Sequence, residues 1–306
     1  MELKWEDFKL KFQKGFRGYN HELERKSVFE ENVVIIENHN TLFENGISSY
    51  KMDINQYSDM TFKEFQDTVL MHNGIKFDDT TISKNLKPNK TSIVAPSKYD
   101  WREEGILNAV KDQGHCGSCW AFAVVGSVEA AWARSGNELL SLSEQELIDC
   151  GEGDCNGGAV YAGYETIIRN GGEMLETDYP YEAKEGQCRY DPAKKKAYIS
   201  SYEGVTNGHV VDAEIIADSV YDNGPNVAAL WTNANFQHYS SGIFDDPSCL
   251  QSDTNHVVVI VGYSKDEQYW IIRNSWGQSW GEDGHIRIKL GKNMCNVEHY
   301  VSYPIV

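Results

Sequence analysis

The sequence predicts an α+β protein of two lobes, preceded by a helical N-terminal segment. Three observations carry this reading. Charge is split unevenly: residues 1–94 hold 13 basic and 15 acidic side chains, the remainder 15 and 31. Between Gly117 and Arg169 helical signals dominate, whereas past Gly224 the pattern alternates as strands do. All seven cysteines lie between positions 116 and 295. A helical half followed by a strand half suggests lobes facing each other across a cleft, a common place for a site.

The opening forty residues read as helix. Arg25, Phe29, Asn32, Ile36 and Asn40 fall on one stripe of a helical surface. A stripe mixing Arg and Asn with apolar residues packs on polar groups as well as on a core. Thr61 with Glu64 three residues on forms a capping box, with Met60 and Phe65 placed as a hydrophobic staple. From Asn73 to Pro96 the composition is that of a linker, and it holds the only glycosylation sequon, at Asn89. Trp120 to Ala133 is a long Ala- and Val-rich run, and Ser143 to Glu146 is a second capping box. Val257–Val261, Tyr269–Arg273 and 285–290 read as strands.

Composition excludes several roles. A net charge of -18 repels a phosphate backbone, so no nucleic acid is expected. No run of eighteen apolar residues exists, so no membrane span is expected. Met1 to Phe16 is charged and amphipathic, which is not a signal-peptide plan. The chain is therefore either cytosolic or numbered after removal of a signal. Seven cysteines allow six to pair and leave one over, pointing to an oxidising compartment and one reactive thiol. The alternative is seven reduced thiols in a cytosolic protein.

The sharpest motif is Gln113-Gly114-His115-Cys116-Gly117-Ser118-Cys119-Trp120, where a loop becomes a helix. A thiol at a helix N-terminus feels the positive end of the dipole, which favours thiolate. Two cysteines at this spacing also suit a metal or redox pair. A metal site wants a second such pair, and Cys150 and Cys155 are spaced wrongly for one. A nucleophilic thiolate needs a base, and the base an orienting partner. His256 heads the apolar strand, and Asn274 follows the next, in Arg273-Asn274-Ser275-Trp276-Gly277.

These residues resemble the papain family of cysteine peptidases, and in texture the cathepsin L type with its precursor segment. His256 lies 137 residues after Cys119, and cysteine, histidine and asparagine come in family order. The resemblance implies a papain-like two-lobed fold: a helical left lobe, an antiparallel β-barrel-like right lobe, and an N-terminal α-helical propeptide domain. It places an inhibitory propeptide at 1–94 and the peptidase domain at 95–306. It implies that Cys119 attacks the peptide carbonyl and that His256 holds the thiolate, then protonates the leaving amine. Asn274 fixes the imidazole under the shield of Trp276. The Gln113 side-chain amide and the Cys119 N–H form the oxyanion hole. Implied disulfides are Cys116–Cys155, Cys150–Cys188 and Cys249–Cys295.

Gly157 and Gly158 resemble the family's substrate edge, where glycines let an extended peptide approach. Ala159, Val160, Ala229 and Val257, with Tyr300 at the far end, line the implied second subsite. They favour an apolar side chain, with Tyr300 shortening the pocket toward medium aliphatics. The α-helical stripe from Arg25 to Asn40 resembles one propeptide motif, and Asp53, Asn55, Tyr57 and Asp59 a second. His21, Asp53, Tyr57 and Asn255 depart from the usual family residues. The propeptide is expected to thread the cleft in reverse near Asn73-Gly74 and to be released by autoactivation at acid pH. Residues 156–208 lack histidine, so an exopeptidase's blocking loop is not expected and endopeptidase action is. The implied protein is a monomer acting on proteins and peptides, inhibited by its own propeptide, with no cofactor and no metal, lysosomal or secreted into an extracellular or digestive lumen. The rival classes are a catalytically silent peptide-binding relative and a Cys-His-Asn acyl transferase.

Overall fold

The computed structural model describes residues 1–72, 94–206, 210–250 and 254–306. Asn89 and the expected crossing at Asn73-Gly74 lie outside the described residues. The N-terminal helical stretch is two helices, α1 (Glu2–Lys11) and α2 (Tyr19–Glu44), broken around Gly15 and Gly18. Gly18 caps α2 at φ +130°, a conformation that favours glycine. Trp5, Phe8, Phe29 and Val33 form a small aromatic core, with Phe8 and Phe29 rings 4.8 Å apart.

The polar members of the α2 stripe tie down the chain that follows. Asn32 Nδ2 donates to the carbonyls of Ser58 and Met60, both at 2.9 Å. Asn40 exchanges two hydrogen bonds with the Met52 backbone. Arg25 Nη2 reaches Glu64 Oε1 at 2.8 Å. Glu64 also completes the capping box with Thr61 at the start of α3 (Phe62–Thr68). A short strand, β1 (Tyr50–Met52), was not legible in the sequence. It pairs antiparallel with β5 (Tyr239–Phe244), so the N-terminal segment adds a strand to the sheet of the second lobe.

The helical lobe contains α4 (Cys119–Arg134), α5 (Glu144–Cys150) and α6 (Val160–Asn170). The expected capping box at Ser143 is half formed. Ser143 Oγ accepts from the Glu146 N–H, but the Glu146 carboxylate turns away to Met174 N and Asn170 Nδ2. Both are neighbouring donors within the buried lobe, and an unpaired donor there is costly. Lys111 Nζ, mostly buried, pairs with Glu144 at 2.7 Å and Glu129 at 3.1 Å.

The second lobe is built on β6 (His256–Ser264), every residue of which is buried. Flanking strands are β2 (Lys98–Asp100), β3 (Ser201–Gly204), β4 (Asn226–Leu230), β7 (Tyr269–Arg273), β8 (His285–Lys289) and β9 (Tyr300–Ile305). The strand order is β1-β5-β8-β7-β6-β4-β9-β3, with β2 on β6. Helix α7 (Ala213–Asn223) packs against β6, and α8 (Ala234–Gln237) precedes β5. In the antiparallel β6–β7 pair Val259 faces Arg273, which sets the end of β7 beside the start of β6. The architecture is the expected α+β fold with a helical N-terminal domain.

Candidate active site

Cys119 is the first residue of α4 and His256 the first of β6, and the backbone N–H of Val257, next to His256, faces the Cys119 sulfur. His256 and Asn274 are in contact, Nε2 to Oδ1 at 2.7 Å. An amide oxygen only accepts, so Nε2 carries the proton. The Ser275 N–H donates to the same Oδ1 at 2.8 Å and fixes that orientation. His256 Nδ1 is buried without a hydrogen-bond partner among the described residues, the nitrogen left for a thiol. The Trp276 ring lies 4.7 Å from the imidazole, centre to centre.

Burial decides the charge state of this pair. The N–H groups of Val257 and Trp120 and of Cys119 itself face the sulfur and lower its pKa, but complete burial outweighs them and pushes the thiol up to about 12. Burial also pulls His256 down to about 4, against the opposing bond from Asn274. The helix N-terminus alone would favour thiolate; in this structure the cleft is covered, and the neutral pair is favoured instead.

The cover is the chain's own N-terminal segment. Gln113 Nε2 donates to the Val69 carbonyl at 2.7 Å and to the Cys116 carbonyl at 2.8 Å. Met71 N donates to the Asn255 carbonyl at 3.0 Å, and His72 N to the Asn156 carbonyl at 2.9 Å. The segment thus runs from the Gln113 amide toward the Gly157 edge. At Gly157, φ +133°, a Cβ would sit 3.1 Å from the Met71 side chain; at Gly158 it would sit 2.5 Å from the Trp120 ring. Phe65 and Tyr57 stand edge-on over Trp276 at 5.0 and 5.9 Å. Gln56 Nε2 donates to the Trp276 carbonyl, Asn55 Nδ2 to the Gln237 carbonyl, and Gln237 Nε2 to the Tyr57 carbonyl. Asp59 instead accepts from Lys14 within the N-terminal domain, at 2.7 Å. Gln56 and Gln237 were not singled out in the sequence, because a lone glutamine carries no periodic signal.

The sulfurs pair as Cys116–Cys155, Cys150–Cys188 and Cys249–Cys295, leaving Cys119 free. An open pocket, about 510 Å³ with its solvent-filled mouth included, is lined by Val160, Ala229 and Tyr300, joined by Tyr161, Tyr164, Tyr202 and Val227. Ala159 and Val257, expected in the same wall, do not line it. Ala159 is the N-cap of α6, and Val257 faces a second cavity between the lobes, with Asn274 and Ser275. The hydroxyl of Thr206, also at the first cavity, is spent on the His299 carbonyl and Val301 N–H. Its wall therefore stays largely apolar. Among the described residues no group of side chains could hold a metal ion.

Residues 95–305 match the model of the papain family cysteine protease, and residues 5–65 that of the cathepsin propeptide inhibitor domain (I29). The chain belongs to the papain family of cysteine proteases. The cathepsin L of Sarcophaga peregrina is 36% identical over 315 residues, covering 99% of this chain and 92% of the relative. Rattus norvegicus procathepsin L is 36% identical over 314 residues, covering 99% and 91%. Among solved structures, a digestive procathepsin L 3 from the Tenebrio molitor larval midgut superposes with a TM-score of 0.90 at 36% identity, covering 100% of this chain and 99% of that one. This papain-family peptidase is thus a cathepsin L-type proenzyme carrying its own inhibitor domain.

Proposed function

We propose that the protein is the zymogen of a cysteine endopeptidase working through a Cys119–His256 thiolate–imidazolium pair. Asn274 orients the base through Oδ1, and the Gln113 side-chain amide and Cys119 N–H bind the oxyanion. Preorganised donors of this kind each contribute roughly 3–4 kcal/mol to barrier lowering. The observation that carries the reading is the bond from Gln113 Nε2 to the Val69 carbonyl, 2.7 Å. The chain's own peptide carbonyl lies on the donor that a substrate carbonyl would use. The test is hydrolysis of a fluorogenic peptide after incubation at about pH 4.5, alongside loss of roughly the first ninety residues. Precursor that is processed yet never hydrolyses any such peptide would remove the endopeptidase reading.

Cleavage is proposed just before Ala95. Val94 is 89% exposed, while Ala95 is buried with its N–H on Asp218 Oδ1 at 3.2 Å. The acting form is a monomer, and a lysosome or an extracellular or digestive lumen supplies the acid and the oxidising conditions.

The acid trigger is assigned to His238 rather than to the Arg25–Glu64 pair. Arg25 pulls the Glu64 carboxyl down to about 2. Its contribution to stability is present above its ordinary pKa and fades only as pH falls toward that value, so the pair is intact at about pH 4.5. His238 is buried, its Nδ1 has no partner among the described residues, and burial alone pulls it down to about 4. Its backbone carbonyl holds Asp53 N of the propeptide at 2.9 Å. Folding favours the neutral imidazole, so stability is full above about 6.5 and is lost as pH falls through about 4. We expect His238→Gln to slow processing at about pH 4.5 by roughly tenfold with little change at neutral pH. Band disappearance on gels over a pH series measures it; an unshifted profile would sink the assignment.

The second subsite is assigned to the tyrosine-rich cavity. Tyr300 closes one side, so Val and Leu are preferred there over Phe. Tyr300→Ala is expected to raise kcat/KM for a Phe substrate relative to Leu by about 5–20-fold. A substrate panel checks this, and a ratio that does not move would place Tyr300 outside the determinant.

A further inference from the structure

Where the peptidase domain begins, exposure changes within one residue. Val94 stands in solvent, whereas the Ala95 methyl is packed into the main hydrophobic core. Both backbone groups of Ala95 are held. Its N–H donates to Oδ1 of the half-buried Asp218 on α7 at 3.2 Å, and its carbonyl accepts from Lys265 Nζ, just past β6, at 3.3 Å. Lys265 also pairs with Glu214 of α7, and its N–H donates to the Ser97 carbonyl at 2.7 Å. The corner thus sets two carboxylates against one ammonium. Tyr263 of β6 faces it as well, its ring 5.7 Å from Lys265 Nζ. Burial first, and then the charges of Asp218 and Glu214, hold that phenol well above its ordinary range, so it stays neutral.

We infer that Asp218 is the receptor for the amino terminus that maturation creates, a site for an α-ammonium group that the precursor holds ready with a neutral N–H. The inference rests on the proposed cut before Ala95. Hydrolysis of the Val94–Ala95 bond consumes one water. Val94 leaves as a carboxylate and Ala95 N becomes an ammonium, with no net release or uptake of a proton. A neutral donor on the Asp218 carboxylate thereby becomes a charged donor on the same oxygen, and bonds between charged partners are roughly twice as strong. The new positive charge also offsets the excess of one carboxylate at this corner. A cut farther upstream leaves its ammonium beyond the exposed Val94, where water screens it, and leaves the Ala95 N–H neutral. Only a chain that starts at Ala95 brings the charge to Asp218 with the methyl still buried. The processed enzyme then has its new end tied to α7, and through Lys265 to β6, by a bond that the precursor lacks.

The test uses Cys119→Ala precursors, with Asp218 or with Asp218→Asn, and the shortened form made from each by a trace of wild-type enzyme. Asparagine keeps the shape and still accepts the neutral N–H of the precursor through its amide oxygen, but it offers no charge to an ammonium. Mass spectrometry reads the first residue of each shortened form, and thermal unfolding is followed at about pH 6 and about pH 10.5. The shortened Asp218 form is expected to begin at Ala95. At about pH 6, Asp218→Asn is expected to lower the unfolding midpoint of the shortened form by about 4 °C and that of the precursor by less than about 1 °C. An α-amino group has a pKa of about 8 in an unfolded chain, and a carboxylate partner raises it in the fold. The contribution is therefore full below about pH 8 and lost as pH rises through the raised value, so the two shortened forms converge by about pH 10.5. Equal losses in precursor and shortened form, or an Asp218→Asn precursor that does not fold, would make Asp218 a structural residue and overturn the inference. A difference that survives undiminished at about pH 10.5 would overturn it too. A shortened Asp218 form that begins elsewhere removes the cut before Ala95 and the pairing with it. An end at Ala95 with equal midpoints removes the pairing alone.

Discussion

Cys119→Ala is expected to abolish peptide hydrolysis, by at least about 10⁴-fold, and to leave a folded precursor that never loses its N-terminal segment. The other six cysteine sulfurs are consumed in three bridges, that of Cys116, three positions before the helix start, included. No second thiol stands near His256 Nδ1 to substitute. The change removes one small buried atom, so the cost in stability is on the order of 1 kcal/mol. Purified variant and wild type, incubated side by side at about pH 4.5, are compared by gel and by fluorogenic peptide. Conversion of the pure variant to a shortened form would show that the cut is not made by this thiol.

The second large effect is expected at Phe65. Its ring is fully buried, edge-on to Trp276 at 5.0 Å and to Tyr57 at 5.0 Å. Its carbonyl also accepts from Val69 N at 2.9 Å, and the Val69 carbonyl lies on Gln113. Phe65→Ala therefore loosens together the shield over Trp276 and the residue whose carbonyl holds the Gln113 amide. Truncating a buried phenylalanine costs about 3–5 kcal/mol. If most of that falls on docking, the open form becomes about 10²–10³-fold more populated. Cys119 in the neutral-pH precursor should then react with iodoacetamide about a hundredfold faster than in wild type. Equal rates would mean that the segment from Val69 to His72 holds the cleft without help from α3.

What the sequence disclosed followed from how densely each feature is encoded. The Cys119, His256 and Asn274 triple sits at element boundaries marked by glycines and apolar runs, and those positions were legible. The Thr61 capping box was legible because both of its partners are four residues apart at most. The Ser143 box was misread by half, since Glu146 found donors from Met174 and Asn170, which no local pattern announces. Strand β1 is three residues long and exists through its pairing with β5, nearly two hundred positions away, so no periodicity could show it. Tyr164 and Tyr202 stack at 5.3 Å from an α6 helix face and a β3 strand. Their joint wall is a tertiary fact. The helix terminus alone speaks for a Cys119 thiolate, but the burial that pushes the thiol up is a tertiary fact that no local pattern shows.

The Val69 carbonyl reaches Gln113 while still part of the same polypeptide as the enzyme it blocks. A tethered blocker sees its site at an effective concentration on the order of millimolar, whatever the amount of protein present. One cut changes the order of the reaction from unimolecular to bimolecular. The freed segment then competes only at the concentration of the enzyme itself. Crowded molecules in a storage vesicle would remain partly restrained after cutting, and dispersal into a larger volume would complete the release without any further chemistry.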